Sequence, residues 1–100
     1  MMRHAKRTDH NHSEIRDGLR AAGYVVADLS AIGHGVPDLR VLVSTEPMRC
    51  LYLEIKVGNE GLTDKERDWF KHNPENSRMV NSLESALTEI EKFKDEYVTQ

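Results

Sequence analysis

Pro37-Asp38-Leu39-Arg40-Val41-Leu42-Val43-Ser44, followed by Cys50-Leu51-Tyr52-Leu53-Glu54-Ile55-Lys56-Val57, is the stretch whose reading decides the fold. Both runs alternate. Leu39, Val41 and Val43 point one way, and Asp38, Arg40 and Leu42 the other. Leu51, Leu53, Ile55 and Val57 share one face, opposite Cys50, Tyr52, Glu54 and Lys56. A period of two predicts half-buried strands over Asp38–Ser44 and Cys50–Val57. Thr45-Glu46-Pro47-Met48 between them has the chemistry of a turn. In a hairpin symmetric about Glu46, Asp38 faces Glu54 directly. A slightly later turn centre still leaves Asp38 beside Glu54 or Lys56, since cross-strand neighbours stand about 5 Å apart.

Upstream of the hairpin, Ser30–Pro37 reads as a loop, with Gly33 and Gly35 supplying tight backbone conformations. Tyr24–Leu29 reads as a strand. Before it, Ile15, Leu19 and Ala22 recur at helical spacing, with Asp9 or Ser13 as cap and Gly23 as stop. Residues 1–12 are polar, with His4, His10 and His12 among Lys6 and Arg7. They read as a mobile arm, and metal or DNA contact by the arm is the other reading.

Downstream, Thr63 begins a helix, with Glu66 placed as its capping-box partner. Trp69 and Phe70 give that helix bulk for the core. Arg78–Val80 is a short strand. Asn81 or Ser82 caps a last helix striped by Leu83, Ala86, Leu87, Ile90 and Phe93. The order helix-strand-strand-strand-helix-strand-helix is an α/β pattern, with one domain expected over residues 13–97.

Composition narrows the class. The 100 residues are 38% hydrophobic and 31% charged, as in a soluble globular domain. Cys50 is the single cysteine, which excludes an intrachain disulfide or a cysteine cluster on zinc and suits a reducing cytoplasm. No apolar run is long enough to span a bilayer, and no apolar core follows the basic N-terminus, so neither an anchor nor a signal peptide is expected. The formal net charge of −3 argues against DNA binding through bulk positive charge. It leaves room for a site in which bound cations restore positive charge locally.

Asp38 and Glu54 are then two carboxylates side by side on one sheet face, an arrangement that like-charge repulsion disfavours. A bound Mg²⁺ or Mn²⁺ relieves the repulsion, because hard cations prefer such oxygen ligands. Lys56 shares the face of Glu54 and can orient water or offset charge on a phosphate. The main-chain carbonyl of Ile55 lies between them as a further oxygen ligand. Taken alone, Glu54 and Lys56 match an ordinary solvated strand face; the in-register Pro37-Asp38 adds the chemistry.

Gly35-Val36-Pro37-Asp38-Leu39 and Leu53-Glu54-Ile55-Lys56 match the pattern of the PD-(D/E)XK nucleases. Gly61-Leu62-Thr63, Trp69 and the run from Arg78 to Leu87 resemble the VRR-NUC subgroup. The resemblance covers the chain from about Glu14 to Ile90. It implies a restriction-endonuclease-like core with a mixed central sheet flanked by helices. It implies Asp38 and Glu54 as metal ligands, Ile55 as main-chain ligand, Lys56 as the catalytic lysine, and Glu14 on the first helix as a further ligand, with Gly18 allowing close approach. Glu66 stands where the family commonly has glutamine; an ionised glutamate cannot donate as a glutamine does. Glu66 and His34 are secondary site candidates, His34 as a DNA contact or proton relay. Single-domain members resemble viral or phage enzymes, so the expected activity is a Mg²⁺- or Mn²⁺-dependent endodeoxyribonuclease in the host or bacterial cytoplasm. A homodimer acting on branched DNA such as four-way junctions is implied, with Trp69, Phe70 and the last helix as core or dimer contacts. Two alternatives are a catalytically silent DNA- or protein-binding module of the same fold, and a small α/β interaction protein.

Overall fold

The computed structural model describes the backbone of residues 2–98 and the side chains of residues 10–96. The elements run α1 (Met2–Ala21), β1 (Val25–Asp28), β2 (Leu39–Thr45), β3 (Met48–Ile55), α2 (Asp64–His72), β4 (Ser77–Val80) and α3 (Leu83–Val98). This is an α/β chain with the expected element order. The four strands form one mixed sheet in the order β1-β2-β3-β4. The first three are antiparallel neighbours, and β4 joins β3 in parallel. Among the described residues no helix is long and apolar enough to cross a membrane.

The two faces of the sheet have different cover. Val26, Leu39, Val41, Leu51, Leu53, Ile55 and Val80 form one core with Ile15 and Leu19 of α1 and Ala86, Ile90 and Phe93 of α3. Each fully buried aliphatic side chain there contributes about 1.5–3 kcal/mol relative to exposure. Leu83 and Leu87 complete the α3 stripe as partly buried neighbours of the core. On the opposite face α2 leans on the sheet through Trp69. Its ring meets Tyr52 edge-on at 5.2 Å, and its indole N–H donates to Ser77 Oγ at 3.1 Å. No residue of α2 is fully buried. Trp69 therefore flanks the sheet, and neither it nor Phe70 joins the main core for which their bulk suited them.

The hairpin keeps the expected pairing for a different reason. Leu39 pairs Leu53, and the register holds through Leu42 and Cys50, which sets Asp38 level with Glu54. The turn itself is a tight one at Glu46-Pro47, closed by Thr45 opposite Met48. One extra residue, Val43, lies between Leu42 and Ser44 where the register shifts, as in a β-bulge. Symmetry about Glu46 is thus the sum of an off-centre turn and a bulge.

Helix α1 begins at Met2, where a mobile arm and a cap at Asp9 or Ser13 are expected from the sequence. Residues 2–12 contain neither Gly nor Pro. A helix nucleated by packing of Ile15 and Leu19 can therefore propagate backwards through them. The side chains of His4, Lys6, Arg7 and Asp9 lie outside the described residues. Gly18 serves helix packing: a Cβ there would stand 2.5 Å from Leu83 Cδ2 of α3.

Candidate active site

The C-terminal end of β3, the start of β2 and the first turn of α2 converge at one end of the sheet. Asp38 Oδ2 accepts the Ile55 amide at 2.8 Å, so the carboxylate is tied across the strands to the residue after Glu54. Glu54 is 4% exposed. Lys56 Nζ lies 3.6 Å from Glu54 Oε2 and 2.7 Å from Glu66 Oε1. The Lys56 amide donates to the Val80 carbonyl at 2.9 Å, which holds the strand end against β4.

Glu66 is placed by its helix. Thr63 accepts the Glu66 amide at 3.2 Å, and Glu66 Oε1 accepts the Thr63 amide at 2.9 Å. The expected capping box is present. The same carboxylate also holds Lys56, so Glu66 does both jobs at once. Opposite it, the loop before β2 packs tightly on α2. Gly35 has φ +85°, and a Cβ there would stand 2.5 Å from the Lys65 carbonyl oxygen. His34, next to it, is exposed at φ 57° and makes no hydrogen bond among the described residues.

Electrostatics follow from this crowding. Burial, then the charges of Asp38 and Glu66, push Glu54 up to about 8. Burial also raises Asp38 above the usual carboxylate range, against the opposing Ile55 amide bond. Burial works against the Lys56 ammonium, but the Glu66 hydrogen bond and the charges of Glu66 and Glu54 outweigh it and raise its pKa. Glu66 is lowered, because Lys56 and the Thr63 amide outweigh its own burial. The cluster holds three carboxylates against one ammonium, and burial and like charge favour the neutral form of the most deeply buried of them.

Asp38, Glu54, Lys56 and Glu66 are therefore brought together. Glu14 is exposed on α1, and its side chain makes no hydrogen bond or ion pair among the described residues. One turn on, Gly18 abuts Leu83, so this flank of α1 faces α3. The α1 residue that reaches toward the cluster is His12. Its Nε2 lies 3.1 Å from Asp28 Oδ2. Asp28 also accepts Arg16 Nη1 at 2.9 Å, Ser30 Oγ at 2.7 Å and the Ser30 amide at 3.1 Å. The spacing of His12 and Arg16, one helical turn, was the available sign that both face one partner.

The donor set can be tested against a divalent cation. Among the described residues no group of three or more His, Cys, Asp or Glu is arranged to hold a metal ion. Mg²⁺ does not require three; it is commonly held by one or two carboxylates with waters and phosphate oxygens. Asp38 and Glu54 meet that lower requirement. A buried carboxylate crowded by two others is what a hard cation would relieve.

Comparison of the chain with protein families, with curated proteins and with solved structures finds no match.

Proposed function

We propose that this chain is a divalent-metal-dependent endodeoxyribonuclease with a PD-(D/E)XK-type centre, acting as a homodimer on branched DNA. The observation that carries the reading is the β2–β3 register, with Leu39 opposite Leu53. It draws Asp38 to the Ile55 amide and leaves Glu54 and Lys56 on either side of that residue. The mixed sheet with helices on both faces fits the restriction-endonuclease-like core that the motifs imply. The homodimer draws support from a largely apolar surface of Val25, Leu42, Met48 and Tyr52 around Arg40, on which Val25 is 67% and Met48 73% exposed. A second copy would also supply a second cutting site related by twofold symmetry.

In this reading Asp38 and Glu54 would hold Mg²⁺ or Mn²⁺, with the main-chain carbonyl of Ile55 between them. When bound, the ion supplies positive charge against the phosphate and makes a water more acidic. Lys56 stays an ammonium, because its carboxylate partners raise its pKa. It can donate to a phosphate oxygen and offset the charge that builds there in the transition state. Glu66 anchors the ammonium at 2.7 Å and fixes where that donor points. Glu54 must give up its proton before it can serve as a ligand.

The competing reading, a catalytically silent binding module, draws on that same Lys56–Glu66 pair, which occupies the lysine. One assay separates them. Purified protein is incubated with junction, flap and linear DNA in Mg²⁺ or Mn²⁺, then with chelator. Cleavage that chelator stops, and that Lys56→Ala lowers by about a hundredfold or more, is expected. Cleavage of no substrate, or undiminished cleavage by Lys56→Ala, overturns the nuclease reading.

A further inference from the structure

A groove of about 240 Å³ borders Lys56, lined also by Gly58, Glu60, Met79, Val80, Asn81 and Ser85. Its chemistry differs from that of the carboxylate cluster. Met79, level with Glu54 on the neighbouring strand, is 49% exposed and offers a polarisable apolar surface. The side-chain amide of Asn81 makes no hydrogen bond among the described residues, so its donors and acceptor are free for a ligand. Its backbone is held from behind. The amides of Asn81 and Ser82 both donate to Ser85 Oγ at 3.1 Å, and the Asn81 carbonyl accepts Asn11 Nδ2 at 3.4 Å.

Lys56 is the one cation of this lining, and Glu60 adds negative charge. The two charges offset each other, and the Lys56 ammonium is held toward Glu54 and Glu66, which leaves a phosphate to be met on that side of the lysine. What suits the interior is a neutral, flat group with a hydrogen-bonding edge, attached to a phosphate. The volume falls below the roughly 300–1,000 Å³ of pockets that take drug-sized ligands. It is of the size of a single nucleobase.

Resting on the nuclease reading, we propose that this groove receives one unpaired nucleobase beside the phosphate that Lys56 contacts. Met79 lies against its face and Asn81 reads its edge. A base inside a continuous duplex would first have to leave the stack. The substrate class is therefore DNA with an unpaired nucleotide at the cut, as in single strands, flaps and branch points.

The test uses the whole chain with Mg²⁺. The cut is mapped on a labelled single strand and on the duplex of the same sequence. One abasic residue is then stepped across it. The single strand is expected to be cut faster than the duplex. An abasic residue at one position flanking the cut is expected to lower kcat/KM about tenfold. Met79→Ala and Asn81→Ala should lose a similar factor on intact DNA and become indifferent to the abasic residue. A wild-type protein indifferent to base loss at both flanking positions overturns the proposal, as do variants that keep the sensitivity. If no DNA is cut, the nuclease reading fails separately, and binding decides the groove. A 2-aminopurine single strand titrated in chelator should then change fluorescence with wild type and not with Met79→Ala or Asn81→Ala. An unchanged signal with wild type, or a change that both variants keep, overturns the base pocket.

Discussion

Glu66 is one carboxylate with two partners, and the two roles can be separated. Glu66→Gln keeps a carbonyl oxygen for the Thr63 amide and removes the charge beside Glu54. The capping box survives, Glu54 loses one of the like charges that raise it, and cleavage should be kept or increased. Glu66→Ala leaves the Thr63 amide without its acceptor while the Thr63 hydroxyl still caps the Glu66 amide, at a cost of about 0.5–1 kcal/mol. Thermal melts and single-turnover rates on both variants check the pair. A rate that collapses in Glu66→Gln would mean that the negative charge itself is needed. Residue chemistry was legible at Asp38, Glu54 and Lys56 because strand alternation fixes side-chain direction. It was not legible at Glu14, where the flank of a helix depends on what α3 packs against. Nor was it at His12, whose partner Asp28 is set by tertiary contact alone.

Among the elements, the loop before β2 is held by its closest contact. Gly35 combines a left-handed backbone with near-contact to the Lys65 carbonyl. Gly35→Ala should push the loop off the first turn of α2 and cost about 1–3 kcal/mol. Denaturant unfolding measures that loss, and hydrogen exchange should show the change concentrated at the Thr63–Glu66 amides. The strands and α3 could be read from periodicity, because burial on one face imposes it directly. The extent of α1 could not, since its first turns carry no apolar stripe and lengthen an already packed helix. The position of Trp69 misled for a related reason. A large aromatic signals burial without saying against which layer, and here it meets Tyr52 on the face opposite the core.

For the molecule as a whole, stability should follow two opposed carboxylates. Glu54 is raised to about 8 by burial and its acidic neighbours. Its stabilising proton is fully present below the unfolded value of about 4.3 and is lost as pH rises toward 8. Asp28 is lowered, because its Ser30, Arg16 and His12 hydrogen bonds outweigh burial. Its contribution is present above about 3.9 and is lost as pH falls through the lowered folded value. The metal-free melting temperature should therefore peak in mild acid and fall toward pH 8. Glu54→Gln should flatten the alkaline fall, and a flat wild-type profile would contradict the buried-carboxylate account. In wild type at pH 8, Mg²⁺ should raise the melting temperature by mass action. The same ion should do nothing for Glu54→Gln. Sedimentation at micromolar concentration tests the homodimer, which a single small species would exclude.

The bulge at Val43 gives the hairpin one residue of slack between its tip and its business end. Counted from the turn, β2 is one residue longer than its partner needs. Deleting any one residue from Val43 to Pro47 can be absorbed by straightening the bulge, and the pairing from Leu42 down to Asp38 keeps its phase. Deleting Arg40 has no such reserve, because it shifts Asp38 by one position and turns it to the opposite face. Length variants at the tip should therefore keep metal-dependent cleavage, while Arg40 deletion abolishes it. The hairpin is a ruler whose free end can be trimmed without moving the mark at Asp38.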